Sequence, residues 1–173
     1  MGQPKRGHKT VDTKTEIPRS FTVVIDTREK SPWCFSSAAI LGTEYKKLDT
    51  GDYTVVGLED KLCIERKRDI SELAGNIHEK RFHKELERMM DYKYRYLLLE
   101  SSMTRLIEYP LHEDLPPTVL SRIKVSGKYL LKCVNRMQVK YGVNIIYCGN
   151  VFNAQWVATN LMKEVIEIEW HQG

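Results

Sequence analysis

Three acids and one amine stand where they could do chemistry together. Asp26 closes the apolar run Phe21-Thr-Val-Val-Ile-Asp26, Asp52 follows Gly51 at the head of a second extended run, and Glu65 and Lys67 lie in Lys61-Leu-Cys-Ile-Glu-Arg-Lys67. Successive side chains of a strand alternate faces, so Glu65 and Lys67 point one way and Arg66 the other. Glycine at position 51 permits a tight bend that directs Asp52 toward Glu65. Two converging carboxylates repel unless a cation lies between them, and an oxygen-only ligand set suits a hard ion, Mg²⁺ or Mn²⁺. Beside it, Lys67 would orient or help deprotonate a water and offset charge developing on a phosphate. On spacing alone, the competing reading is a solvated strand edge with ordinary ion pairs.

Positioning these groups requires strands. Phe21–Asp26 has the β-branched, apolar pattern of a strand buried on both faces. Tyr53–Val56 and Lys61–Lys67 read as a hairpin joined through Gly57 and Asp60, and Arg95–Glu100 and Val143–Cys148 as two more buried strands. Between them Ile70, Leu73, Ile77, Leu86 and Met89 recur at helical intervals, as one kinked helix or two short ones. Residues 110–117 read as loop. Asn153 is placed to cap a closing helix carrying Trp156, Val157, Leu161, Val165 and Ile166. Alternating strands and helices imply an α/β architecture with helices on both faces of a mixed sheet.

The length of 173 residues suits one domain, and 42% hydrophobic with 29% charged residues excludes collagen-like, disordered and membrane-embedded classes. Four cysteines without a CxxC pair call for no disulfide framework. The formal net charge is only +4, but it is unevenly spread. Residues 1–19 carry five Lys/Arg against two acids and no hydrophobic periodicity, and are read as a basic mobile arm ahead of a folded domain over 20–173. Residues 118–141 hold six Lys/Arg and no acid. Lys124, Lys128, Lys132, Arg136 and Lys140 recur every four residues, which on a helix makes a stripe suited to phosphates. A solvated helix face is the alternative.

The order Val24-Ile-Asp-Thr-Arg-Glu29, Gly51-Asp52, Glu65-Arg-Lys67 resembles the nuclease domain of the XPF family, within the PD-(D/E)XK superfamily, whose fingerprint is V/I-D-x-R-E, G-D and E-R-K-x3-D. The likeness spans residues 21–167. The family's last acid falls at Ser71 here, and Asp69 with Glu72 reads instead as a helix capping box.

The resemblance implies a restriction-endonuclease-like, three-layer α/β/α fold with a central mixed sheet, and metal-dependent cleavage of DNA phosphodiesters at branched structures such as a 3′ flap, fork or junction. By it Asp52 and Glu65 are metal ligands, Asp26 supports the Mg²⁺ or Mn²⁺ or the water, and Lys67 positions the attacking water. Arg28, Glu29, Arg66 and Arg81 would contact phosphate or hold the site in shape, with Arg81 joining the stripe among DNA-binding residues. A free-standing nuclease core is expected, as a homodimer through its late helices, with a separate DNA-binding or helicase partner and no membrane. Its location would be intracellular: cytoplasm or nucleoid in a bacterium or virus, nucleus in a eukaryote. The alternatives are a non-catalytic DNA-binding scaffold of the same fold and, among enzymes, a Holliday-junction resolvase or restriction-like nuclease.

Overall fold

The computed structural model describes residues 20–111 and 113–172, so the basic arm expected over residues 1–19 lies outside the described residues. Six strands form one mixed sheet. They are β1 (Phe21–Asp26), β2 (Ile40–Lys46), β3 (Tyr53–Val55), β4 (Leu62–Lys67), β5 (Tyr94–Leu99) and β6 (Asn144–Tyr147), in the order β2-β1-β3-β4-β5-β6. β1 pairs parallel with β2 and antiparallel with β3, which pairs antiparallel with β4, and β4, β5 and β6 run parallel. Only β3 is reversed, so the carboxyl ends of the other five strands meet at one edge of the sheet. In open α/β sheets that edge is where ligand crevices form.

The strands expected from the sequence are present, and β2 is added to them. Its residues are exposed from Leu41 to Lys46, so it lacks the apolar alternation by which a half-buried strand is read. Main-chain bonds to β1 hold it. The Ile70–Met89 period resolves into two helices, α1 (Ile70–Asn76) and α2 (Lys80–Met89). Asp69 Oδ1 caps α1 by accepting from the Glu72 amide at 2.7 Å, while Glu72 Oε2 accepts from the Arg68 amide at 2.9 Å. The capping reading of Asp69 and Glu72 therefore holds, with the reciprocal bond one residue earlier than in the standard box. Ser71 donates to Glu113 Oε2 at 2.6 Å and ties α1 to the loop across from it.

Two short helices follow, α3 (Met103–Ile107) and α4 (Pro117–Leu120), then α5 (Gly127–Tyr141) and the closing α6 (Val151–Gln172). The cap of α6 differs from expectation. Asn150 Oδ1 accepts from the Asn153 amide at 2.9 Å, so Asn153 lies inside the helix and supplies the donor.

Alternation along the central strands divides the core into two layers. Cys63, Leu97 and Leu99 pack against α1, α2, α3 and α5 through Ile70, Leu86, Leu106 and Val134. Ile64 and Leu98 face the other way, with Val23, Ile25 and Tyr53, onto Ala154, Ala158, Met162 and Val165 of α6. Helices thus cover both faces, as the sequence predicts. The apolar stripe of α6 is split: Val165 is core, whereas Phe152 and Trp156 are 77% and 71% exposed. Among the described residues no helix is long and apolar enough to cross a membrane.

Glu169 fastens the end of α6 to the sheet. Its carboxylate accepts from Lys61 Nζ at 2.5 Å, Lys93 Nζ at 2.7 Å and the Tyr94 hydroxyl at 3.0 Å. The lysine bonds hold its pKa down from an ordinary 4.5 to about 2. A depressed carboxylate stabilises the fold fully above its ordinary pKa and loses that contribution as pH falls through the folded value. Glu169→Gln is therefore expected to lower the thermal midpoint at neutral pH, and the gap from wild type is expected to close on acidification from about 5 to about 2. Thermal denaturation across that range, followed by circular dichroism, checks the sign.

Candidate metal and phosphate site

The site is built where β1, β3 and β4 meet. Gly51 has φ of +78°, and a Cβ there would come within 2.5 Å of Cys63 Sγ, so both conformation and space demand glycine. The next residue is then stitched on both sides. The Asp26 amide donates to the Asp52 carbonyl at 2.8 Å, the Asp52 amide donates to the Ile64 carbonyl at 2.9 Å, and Asp52 Oδ2 accepts from the Arg66 amide at 2.8 Å.

Asp26, 1% exposed, is wholly engaged. Its Oδ1 accepts from the Arg28 amide and Nε, both at 2.7 Å, and its Oδ2 accepts from Arg28 Nη2 at 3.0 Å and the Leu48 amide at 2.7 Å. Arg28 also donates to the Leu48 carbonyl at 2.8 Å. Burial alone would raise the Asp26 pKa, but the Arg28 and Leu48 bonds outweigh it and hold the carboxyl below its ordinary value. Both oxygens being engaged, Asp26 sets the path of the chain that leads to Asp52.

Glu65 and Lys67 point to the same side of β4, as alternation requires, and Lys67 Nζ bonds Glu65 Oε1 at 2.8 Å with both side chains almost fully buried. Glu65 Oε2 is buried without a hydrogen-bond partner among the described residues. Burial, and then the Asp52 charge, push the Glu65 pKa well up, and burial likewise pushes up that of Asp52. Lys67 is pulled down by burial and raised more strongly by Glu65, Glu72 and Glu85, so it stays an ammonium. Its Nζ lies 4.8 Å from the centroid of the Phe82 ring on α2. The chemistry of this donor set suits a divalent cation, which would relieve the carboxylate repulsion and give the orphaned oxygen a partner.

A cavity of about 380 Å³ opens over these groups. Asp26, Asp52, Glu65 and Lys67 line it from the sheet, Arg28 and Glu29 from the turn after β1, and Arg81, Phe82 and Glu85 from α2. Among the described residues no three His, Cys, Asp or Glu side chains gather at direct metal-ligating spacing. Asp26 is engaged elsewhere, and Asp52 and Glu65 stand as a pair.

Arg66 faces the opposite layer. Its Nε and Nη2 donate to Glu100 at 2.8 and 3.3 Å, its Nη1 donates to the Ser31 carbonyl at 2.5 Å, and Glu29 lies 3.9 Å away. Trp33 Nε1 donates to the same Glu100 at 2.6 Å, and the Arg66 guanidinium sits 5.3 Å from the Trp33 ring centroid. Trp33 in turn stacks on Tyr53 at 4.3 Å. Arg66 thus holds the site in shape.

Of the basic stripe expected from the sequence, Lys128, Lys132, Arg136 and Lys140 project exposed from α5, while Lys124 precedes the helix. Tyr129, at the start of α5, stacks on His78 at 5.7 Å. His78 sits between Asn76 and Glu79, both on the cavity wall, so the stripe begins beside the cavity rim.

Glu85, Glu100 and Trp33 had no place in the motif reading. Glu100 closes an apolar strand with an acid, as Asp26 does, and that signal could have found it. Glu85 lies four residues after Arg81 and three after Phe82, on the same face of α2.

Glu100 and Arg66 are a desolvated pair, their side chains 8% and 7% exposed. Removing one member leaves the other charge buried, at a cost of about 3 kcal/mol or more. Glu100→Ala is expected to lose that much stability in urea denaturation; a change under about 0.5 kcal/mol, the range of ordinary surface substitutions, would contradict the role given to it.

The model of the ERCC4 domain matches residues 25–158. A comparison with curated protein sequences gives no match. Among solved structures, XPF from Aeropyrum pernix is 19% identical over 83% of this chain and 64% of its own, with a TM-score of 0.60. XPF from Aeropyrum pernix in complex with DNA is 20% identical over 85% and 66%, with a TM-score of 0.63. This chain therefore spans just under two thirds of the length of those structures and shares their fold. With the family's acids and lysine gathered at one cavity, the chain belongs to the ERCC4-domain family, that of the XPF nuclease domains.

Proposed function

We propose that this protein is an intracellular DNA endonuclease that depends on Mg²⁺ or Mn²⁺ and hydrolyses phosphodiester bonds at branched structures: a 3′ flap, a fork or a junction. The observation that carries the reading is the Asp52 and Glu65 pair, raised in pKa by burial, beside the Lys67 ammonium at the floor of an arginine-rimmed cavity. Family membership and the DNA complex of the Aeropyrum pernix structure support it.

Asp52 and Glu65 would hold the divalent ion, which when bound supplies Lewis-acid polarisation of a phosphate oxygen and a more acidic water. Asp26 supports them by fixing the chain that carries Asp52. Lys67 keeps its proton, orients the attacking water and offsets charge on the phosphate in the transition state. Arg28 and Arg81 on the cavity wall receive the phosphate. Lys124, Lys128, Lys132, Arg136 and Lys140 track the DNA backbone beyond it, giving affinity without base identity. Phe152 and Trp156 are exposed on α6, which supports pairing of two copies through the late helices. A separate DNA-binding or helicase partner would then direct the pair to its substrate.

The test uses labelled duplex, single strand, 3′ flap, fork and four-way junction, with and without Mg²⁺ or Mn²⁺. Cleavage confined to branched DNA with metal is expected. Asp52→Asn or Glu65→Gln should abolish cutting with DNA binding retained, and Lys67→Ala should slow it about 10²-fold. Unchanged cutting by either acid variant would defeat the reading. DNA binding without cutting by the wild type under every condition would make the chain a scaffold, and preference for the four-way junction would make it a resolvase.

A further inference from the structure

Resting on the metal-site reading above, we propose that Glu85 is a further positioning residue of that site, an outer-sphere carboxylate that holds the divalent ion of Asp52 and Glu65 through ion-bound water. Glu85 is half-buried on α2 and lines the same cavity as the two acids, one helical turn beyond Arg81 and Phe82. Phe82 fixes that turn over the floor, being 2% exposed with its ring centroid 4.8 Å from Lys67 Nζ.

Three other acids of the cavity wall are engaged. Asp26 is bound by Arg28 and Leu48, Glu29 accepts from the Ser31 amide at 2.8 Å, and Glu72 accepts from the Arg68 amide. Glu79 precedes α2 at its exposed N-terminal edge. No salt bridge engages Glu85 among the described residues, yet its charge reaches Asp52, Glu65, Lys67 and Arg28 alike. Glu79 is exposed, so Glu85 is the half-buried acid of the wall for which no salt bridge is found among the described residues. Facing the same cavity is the buried Glu65 Oε2, which has no hydrogen-bond partner among the described residues.

Spacing decides how Glu85 acts. Among the described residues no three acids stand close enough to ligate one ion directly, and Mg²⁺ keeps several waters while binding one or two carboxylates. Those waters need acceptors, and a carboxylate on the facing helix supplies one. Partners of this kind typically change metal affinity 10- to 100-fold when removed, on the order of what a direct titration resolves.

The experiment is Mn²⁺ uptake by the intact chain without DNA, followed by calorimetry and by the electron paramagnetic resonance signal of free Mn²⁺. Glu85→Ala is expected to weaken binding about 10-fold or more, and Glu85→Gln, which keeps the shape and loses the charge, by several fold. Glu87→Gln removes the same charge from the same helix on the side facing Lys140, and should leave affinity unchanged. Thermal melts establish that each variant is folded. Wild-type affinity in folded Glu85→Gln and Glu85→Ala, with binding lost in Asp52→Asn, would overturn the role of Glu85 and leave the metal site standing. An equal loss in Glu87→Gln would also overturn it, reducing the effect to net charge. No saturable uptake by the wild type at millimolar Mn²⁺ would overturn the metal site and this proposal together.

Discussion

Glu65 and Lys67 stand two residues apart on a strand buried along its whole length, so the pleat forces a carboxylate and an ammonium onto one side of the sheet, out of water. Their 2.8 Å ion pair satisfies only half of the carboxylate. Taking such charges out of water is expensive, and a single pair rarely offsets the penalty. The surroundings therefore have to be arranged around this strand end. Phe82 covers the ammonium, Asp52 is brought to the same edge by the glycine turn, and the remaining oxygen has no hydrogen-bond partner among the described residues.

Two clamps keep that arrangement in place from either side. On one, Asp26 binds Arg28 and the Leu48 amide, fixing the segment from β2 to β3 and hence Asp52. On the other, Arg66 is gripped by Glu100 and the Ser31 carbonyl and backed by Trp33. The motif residues are thus divided by role according to the pleat. Glu65 and Lys67 of β4 face the cavity, and Arg66 between them faces the clamp.

Much of this was legible because strand alternation is a strict geometric rule. Alternation puts Glu65 and Lys67 on one surface, the bend at Gly51 turns Asp52 toward them, and the hairpin and the central strands follow from their apolar runs. β2 was missed because neither of its faces is buried, so it leaves no periodic trace. The α6 cap went to Asn150 and not Asn153, since both are good cap residues and only the last turn of chain decides between them. Glu85 and Glu100 come from elements distant in sequence, on α2 and after β5, and only the folded sheet brings them beside β4. The same holds for the engagement of Asp26: its position at a strand end was readable, its partners were not.

Crystals of the protein soaked in Mn²⁺ and measured at the manganese absorption edge test the central claim most directly. The account predicts one dominant anomalous peak in the cavity, within ligating distance of Asp52 and of the Glu65 oxygen that lacks a partner. A cavity without that peak in fully soaked crystals, with Glu65 held by Lys67 alone, would contradict it.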